Sequence, residues 1–470
     1  MLTFFLSKLP LQPRRIAAKG LTERIRSTEP DLRNKIALRM GHGFREYENE
    51  STCAWFVTTG YIVRLLANNP NYFDSFTHII IDEVHERSVE TDILCLLCRR
   101  LLDTHLTLKL VLMSATMAAS LYTSYFGTPE PPIHVSARCF PIQEYFVEDL
   151  ANLFQMPPKE SKIATEVFGK CEQMKCKVTP SSQDMENLYK LATHITLCAG
   201  EHGSSVLIFC GGMSDIEAIT EKIENLSVYG VKYTCIPIHG DVPFEDQMSA
   251  FEPPGPGEVK VVIATNAAES SVTLPDVDHV ICLGLCKQIV YNPCSHRQML
   301  QPCWISKASA TQRAGRTGRV RKGNVYYLYS RNTYEVYMDK FESGEITRIP
   351  LDSVILSLRD MLKERVTPIL EQCLEPPDIS NIERSFKSLH SSNFITQPND
   401  ETCEITSLGS LVIALGIDLT LGSFIGLSIQ FGVAAEAIQM SACLSIPKPP
   451  WMITNPLFHE IDQYNGMSNY

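Results

Sequence analysis

Ile79-Ile80-Ile81-Asp82-Glu83-Val84-His85 decides how this chain is read. Three β-branched apolar residues make a short buried strand, and the strand delivers two carboxylates at its tip. Asp82 offers the hard oxygen donors that Mg²⁺ takes, usually through water. Glu83 beside it can orient and deprotonate a water aimed at a γ-phosphate. The same residues also read as a strand ending in a capped turn, with Asp82 capping the next helix. Taken alone, the stretch leaves both readings open.

The run belongs to a series. Residues 77–81, 108–113, 205–210, 259–264 and 279–283 are short, apolar and rich in β-branched side chains, and each stops at a small or polar residue. Longer helical patterns separate them, the signature of buried parallel strands in α/β layers. Ligands collect at the carboxyl ends of such strands, so site residues are expected there. Ser114-Ala115-Thr116 follows one strand, although a hydroxyl at a strand-to-helix junction is ordinarily a cap. Thr265-Asn266-Ala267-Ala268-Glu269-Ser270-Ser271 follows another. Gln312-Arg313-Ala314-Gly315-Arg316-Thr317-Gly318-Arg319 then spaces arginines by three. That spacing suits a solvated helix face, but the glycines disfavour a plain exposed helix. Planar guanidinium groups suit bidentate phosphate binding. From 149 to 182 the rhythm is lost, and the Lys-, Glu-, Gln-, Ser- and Pro-rich composition reads as an insertion or linker. After about residue 343 the pattern is mainly helical, without a fixed-period repeat.

A length of 470 residues with 44% hydrophobic content allows roughly two to four domains and a large core. The formal charge of −11 argues against a protein that coats nucleic acid indiscriminately. Local charge differs from the total. Between Asp278 and Glu335 no acidic residue occurs, while Lys287, Arg297, Lys307, Arg313, Arg316, Arg319, Arg321, Lys322 and Arg331 do. Residues 8–45 are similarly basic. Two basic strips on an acidic body suggest a defined polyanion track. The 16 cysteines are scattered through apolar runs, as reduced thiols of the cytoplasm or nucleus would be. Cys171 and Cys176 lack a second pair or a nearby histidine and do not read as a zinc site. The opening apolar run is too short for a signal peptide. Residues 408–446 are largely apolar, but Asp418, Gln430, Glu436, Gln439 and five glycines interrupt them, so buried helices are the better reading than a membrane span.

Taken in order, DEVH at 82–85, SAT at 114–116, ATNAAESSVT at 264–273 and QRAGRTGR at 312–319 resemble motifs II, III, V and VI of superfamily 2 helicases of the DEAH/RHA group. Gln12-Pro13-Arg14-Arg15-Ile16-Ala17-Ala18 is similar to motif Ia, Thr58-Thr59-Gly60 to motif Ib, and Leu207-Ile208-Phe209-Cys210-Gly211 to motif IV. The resemblance implies an α/β fold of two RecA-like parallel-sheet lobes, the first incomplete, then a winged-helix domain and a partial helical ratchet domain. The expected boundaries are 1–135, 136–345, 346–405 and 406–470. It implies ATP and Mg²⁺ as cofactors, single-stranded RNA as partner, and 3′-to-5′ movement. Asp82 and Glu83 would be the metal-binding and water-activating acids. His85 would couple the nucleotide to the second lobe, and Ser114 and Thr116 would link ATP state to lobe movement. Gln312, Arg316 and Arg319 would reach the γ-phosphate, the arginines as fingers. Arg24 and Phe251 would sandwich the base. Arg14, Arg15, Arg45, Thr59, Thr265 and Asn266 match positions on the RNA backbone, contacts that carry no sequence preference.

The sequence departs from the family pattern at one place. A Gly-rich loop ending in Gly-Lys-Ser/Thr should precede motif Ia, and only eleven residues precede Gln12. The one Gly-Lys dipeptide, Gly169-Lys170, is followed by Cys171 and is no phosphate loop. The chain therefore reads as cut off before that loop at one end and within the ratchet domain at the other, with apolar sheet surface exposed in lobe one. Two readings follow. One is an ATP-dependent helicase whose remaining motifs are chemically intact. The other is a non-catalytic fragment that binds RNA or a protein partner.

Overall fold

The structure, a computed structural model, describes residues 8–12, 15–40, 44–68, 70–115, 119–128, 130–135, 140–174, 180–225, 231–240, 242, 247–269, 274, 276–292 and 297–445. Two compact units divide the chain. One is Met1–Ile349 with Gln372–Pro376, and the other is Pro350–Glu371 with Pro377–Tyr470.

The first unit holds two α/β lobes. Lobe one is a six-stranded sheet of β1 (Lys8–Gln12), β2 (Ile36–Met40), β3 (Phe44–Glu46), β4 (Ala54–Thr58), β5 (His78–Ile81) and β6 (Lys109–Leu112). Their order is β3-β2-β4-β1-β5-β6, parallel throughout except for the β2–β3 pair. Helices α1 (Arg15–Thr28), α2 (Thr59–Asn68), α3 (Val89–Thr104) and α4 (Ala119–Phe126) connect and cover the strands. The register that sets Ile81 against Leu112 brings the tips of β5 and β6 side by side. Asp82 and Ser114 therefore emerge at neighbouring strand ends. Among the described residues β6 has no outer neighbour, and it is not the fully buried strand its apolar sequence predicts. Val111 and Met113 are 40% and 41% exposed, because an edge strand lacks cover on its far side.

Lobe two is a wholly parallel sheet in the order β7-β14-β11-β8-β10-β9. It comprises β7 (Ile142–Tyr145), β8 (Ser205–Phe209), β9 (Lys232–Ile238), β10 (Glu258–Ala264), β11 (His279–Cys282) and β14 (Gly323–Tyr327). β8 is buried at every position and β10 at all but its first, as a central parallel strand covered on both faces must be. Helices α5 (Val147–Leu153), α6 (Pro158–Met174), α7 (Ser182–Ala199), α8 (Met213–Glu224) and α9 (Lys307–Ala314) surround the sheet, and a hairpin of β12 (Leu285–Asn292) and β13 (Arg297–Trp304) projects from it.

The segment from 149 to 182 is not a linker. It supplies the end of α5 and all of α6, whose Ala164, Val167 and Cys171 pack into the lobe-two core. One turn-spaced apolar stripe is enough to anchor a helix whose other faces are charged, and the charged composition hid it. Cys176 lies outside the described residues. Cys171 is buried, its thiol pushed up to about 12 by desolvation and directed at the Leu328 carbonyl. Among the described residues no cluster of three or more His, Cys, Asp or Glu side chains is arranged to hold a metal ion.

In the second unit, α10 (Asp352–Leu362), α11 (Thr367–Leu370) and α12 (Ile379–Ser391) precede α13 (Ser407–Leu415), α14 (Leu419–Gln430) and α15 (Ala434–Leu444). Asp400 joins the first group by accepting the Val366 and Thr367 N–H groups and pairing with Arg359. Ile395 and Ile405 form an isolated antiparallel β-bridge in this unit. No described helix is long and apolar enough to cross a membrane.

Lys260 shows how this core uses a charge. It lies on β10 with 3% exposure, donating to the Ala250 and Glu252 carbonyls and pairing with Asp276 at 2.8 Å. Lys260→Met strands three acceptors and is expected to cost roughly 3 kcal/mol, read as a lower urea midpoint without loss of the native circular dichroism spectrum.

Candidate active site

β5 ends in a turn with unusual backbone. Glu83 has φ 54° and Arg87 φ 52°, so two side-chain-bearing residues in the left-handed region bracket the 3-10 turn Val84–Glu86. Such conformations are held only where the surroundings impose them. Here Val84 N–H donates to the Met113 carbonyl at 3.1 Å, and the Tyr122 hydroxyl donates to the Val84 carbonyl at 2.6 Å. Glu83 N–H donates to its neighbour's carboxylate, Asp82 Oδ1, at 2.9 Å. That bond fixes one oxygen of the proposed metal ligand.

His85 sits between the lobes. Its Nδ1 accepts the Ala115 N–H at 3.3 Å and lies 3.4 Å from Glu83 Oε2, while its Nε2 touches the Gln312 carboxamide. With Nδ1 as acceptor the neutral ring carries its proton on Nε2, which faces the Gln312 amide nitrogen; the bond forms with the carboxamide turned so that its oxygen accepts. Burial, opposed by Glu86, Glu269 and Asp82, holds the imidazole below its ordinary value.

The arginine motif is organised by burial. Arg313 has no exposed surface; its Nε pairs with Glu269 Oε2 at 2.9 Å and its guanidinium lies 4.9 Å from the Phe209 ring centre. Arg316, 8% exposed, donates to the Glu269 backbone carbonyl. Desolvation, followed by the charge of Arg319, pushes its guanidinium down to about 10 against the attraction of Glu83 and Glu269. Arg319 is exposed, with Nε on the Gly315 carbonyl at 3.1 Å. Thr317 pins the turn between them by donating to the Val277 and Asp278 carbonyls. Gly318, at φ +73°, runs so close to β7 that a Cβ would come within 2.6 Å of Ile142. The glycine is a backbone requirement.

The structure thus brings together Asp82, Glu83, His85, Gln312 and Arg316. Ser114 stands exposed at the end of β6. Thr116 and Arg14 lie outside the described residues, and the Arg15 side chain is likewise not described. Thr59 is buried, and so is Thr265, whose hydroxyl accepts the Ala267 N–H. Asn266 and Arg45 are exposed. Arg24 is exposed on α1 and Phe251 is half-buried on the 3-10 turn Met248–Phe251 of lobe two. Three residues were not singled out by sequence. Glu269 lies inside a quoted motif and Arg313 inside the arginine series, but spacing cannot say which arginine is buried. Tyr122 carries no sequence signal. Gly169-Lys170 lies within α6, with Lys170 3.1 Å from Asp184.

Two α/β lobes thus bring the acids of the β5 turn near the arginines that follow α9, the layout of a two-lobed α/β fold. Residues 186–321 match the family described as Helicase conserved C-terminal domain. The chain is 30% identical to the DExH-box ATP-dependent RNA helicase DExH1 of Arabidopsis thaliana over 93% of its own length and 46% of that protein. It is 29% identical to the human ATP-dependent RNA helicase DHX30 over 92% of its length and 35% of that protein. Its fold matches the DEAH/RHA helicase HrpB of Escherichia coli, with TM-score 0.73 and 21% identity, over 99% of this chain and 55% of that one. The chain is a homologue of the DExH/DEAH-box RNA helicases and spans less than half the length of these two curated relatives.

Two outcomes test the site. Glu269→Ala leaves the Arg313 guanidinium buried without its acid and is expected to cost about 3–5 kcal/mol in urea unfolding, most of it recovered by adding Arg313→Met. The His85 imidazole is expected to titrate below pH 6.5. Because its value is depressed in the folded state, its contribution to stability is present above that pH and lost as pH falls through the folded value. The His85 Cε1 resonance, assigned with His85→Gln, reads this directly.

Proposed function

We propose that this chain is motor sequence of an ATP-dependent RNA helicase that moves 3′-to-5′ on single-stranded RNA. The observation that carries the reading is the His85–Gln312 contact, which joins the acid-bearing turn of lobe one to the helix leading to Arg316. Acids for water activation and guanidinium groups for developing phosphate charge then face one cleft. The donor chemistry at the β5 tip fits a hard cation, since Asp82 offers carboxylate oxygens and its geometry is fixed by its own backbone neighbour. Mg²⁺ there would neutralise charge on the nucleotide phosphates.

Glu83 takes the proton of the attacking water as its oxygen bonds to the γ-phosphorus and the bond to the β,γ-bridging oxygen breaks, releasing ADP and phosphate. Arg316, with Arg319, offsets the charge that builds on the phosphoryl oxygens. The neutral His85 reports the Glu83 side to Gln312 by a hydrogen bond that needs no charge. Arg24 and Phe251 serve the base, and Arg14, Arg15, Arg45, Thr59, Thr265 and Asn266 serve the RNA backbone. Ser114 and Thr116 link nucleotide state to lobe movement. In domain terms, 1–135 and 136–345 are the two motor lobes, 346–405 a winged helix and 406–470 the beginning of a ratchet domain.

A specific observation keeps the non-catalytic reading in play. No GxGK[ST] segment occurs in these 470 residues, and a phosphate cradle contributes backbone donors that no side chain replaces. Phosphate release from ATP, with and without a single-stranded RNA homopolymer, decides between the readings. RNA-stimulated turnover that falls about 10²–10⁴-fold in Glu83→Gln supports the motor. RNA binding without any turnover assigns the polypeptide to binding alone.

A further inference from the structure

The turn that carries Glu83 and His85 is fastened at its far end by a residue that none of the motif readings uses. Arg87 is 5% exposed. Its Nε and Nη2 fork onto Asp92 Oδ1 and Oδ2 at 2.9 and 3.0 Å, and Nη2 also reaches Glu375 Oε2 at 3.1 Å. The same Glu375 oxygen accepts the Gly344 N–H at 2.9 Å. The Arg87 carbonyl accepts the Glu345 N–H at 3.0 Å, and Glu345 Oε2 accepts the Val89 N–H at 3.2 Å. Three segments far apart in sequence thus close a ring of hydrogen bonds around one guanidinium.

The ring leaves no slack at its centre. A Cβ on Gly344 would lie 2.8 Å from Arg87 Nη2 and 3.0 Å from Asp92 Oδ2. Gly344 has φ −55°, so a side chain there would disturb the clamp by close approach and not by backbone conformation. Asp92 is wholly buried, and burial raises its carboxyl against the pull of Arg87. An ordinary helix anchor would serve anywhere along α3. This one grips a residue that is itself left-handed and four positions from Glu83.

We propose that Arg87 is a positioning residue, clamped by Asp92 and Glu375, that fixes the left-handed turn and so sets where Glu83 and His85 point. Gly344, Glu345 and the strap Gln372–Pro376 then control the geometry of the water-activating acid without touching the nucleotide. This rests on the catalytic reading of Glu83 given above. Its physical part, the fastening of the turn, does not.

Glu375→Gln is the informative variant. It removes one charge from the ring, keeps an oxygen for Gly344, and alters a side chain that is 39% exposed. The test measures ATP turnover with a single-stranded RNA homopolymer and amide exchange of residues 84–89 on the full chain. Expected are a roughly tenfold lower kcat, KM for ATP within about twofold, and exchange at 84–89 faster by about the same factor, since small misplacement of a reacting group is costly. Arg87→Lys should do the same, because an ammonium cannot reproduce the fork. Faster exchange with unchanged kcat would make the ring merely structural and overturn the positioning role. Unchanged exchange in both variants would overturn the clamp itself. Absence of turnover in the unmodified chain counts against the catalytic reading, and the exchange data then decide the fastening alone.

Discussion

The Arg313–Glu269 pair is the interaction on which the site depends. A guanidinium with no exposed surface has lost all hydration, and only a partner of matching charge and geometry makes that tolerable. Glu269 answers with its carboxylate to Arg313 and with its backbone carbonyl to Arg316. One residue therefore positions two arginines. Because Arg313 and Gln312 are neighbours on one helix, the same pair also sets where Gln312 meets His85. Removing the pair would move the arginines and the interlobe hydrogen bond together, which is why a buried structural charge carries functional weight here.

On the lobe-one side the constraint is conformational. A parallel strand ending beside its neighbour must turn away at once, and the turn from β5 does so through two left-handed residues. Favourable contacts outside the turn have to hold it: the Met113 carbonyl, the Tyr122 hydroxyl and the Arg87 ring. Neutral His85 is consistent with this arrangement. A charged imidazole would sit near Arg316 and repel it, whereas the neutral ring can bridge a backbone amide and the Gln312 carboxamide.

Much of this was legible in sequence because buried parallel strands are written as contiguous apolar runs. The predicted strands at 205–210, 259–264 and 279–283 fall within a residue or so of Ser205–Phe209, Glu258–Ala264 and His279–Cys282. The α6 region failed for the converse reason. Its buried stripe of Ala164, Val167 and Cys171 is thin, and Lys and Glu on its other faces dominate the composition. β6 failed differently: an apolar run does not state whether a neighbouring strand covers it. Side-chain roles were the least legible. The motif does not state that the Thr265 hydroxyl also accepts the Ala267 N–H, and Arg313 and Arg316 look alike in sequence until the structure gives them different partners.

The same limit governs the basic strip. A run without acids between Asp278 and Glu335 suggests a surface rich in positive charge, but charge is neutralised in space and not along the chain. Arg313 meets Glu269 in the core, and Arg321 forks onto Asp278, the residue at the very edge of that run. Arg331 lies over the Phe146 ring and within 3.5 Å of Asp149. Lys307 donates to the Glu335 carbonyl. Asp149 lies 182 residues from Arg331 in sequence. Arg316, drawn by the charge of Glu83, lies at the end of the motif nearest the acids of lobe one, where low hydration strengthens electrostatic interactions. Part of the strip therefore serves as a frame: Arg313, Arg321 and Arg331 hold segments of lobe two together through Glu269, Asp278 and Asp149.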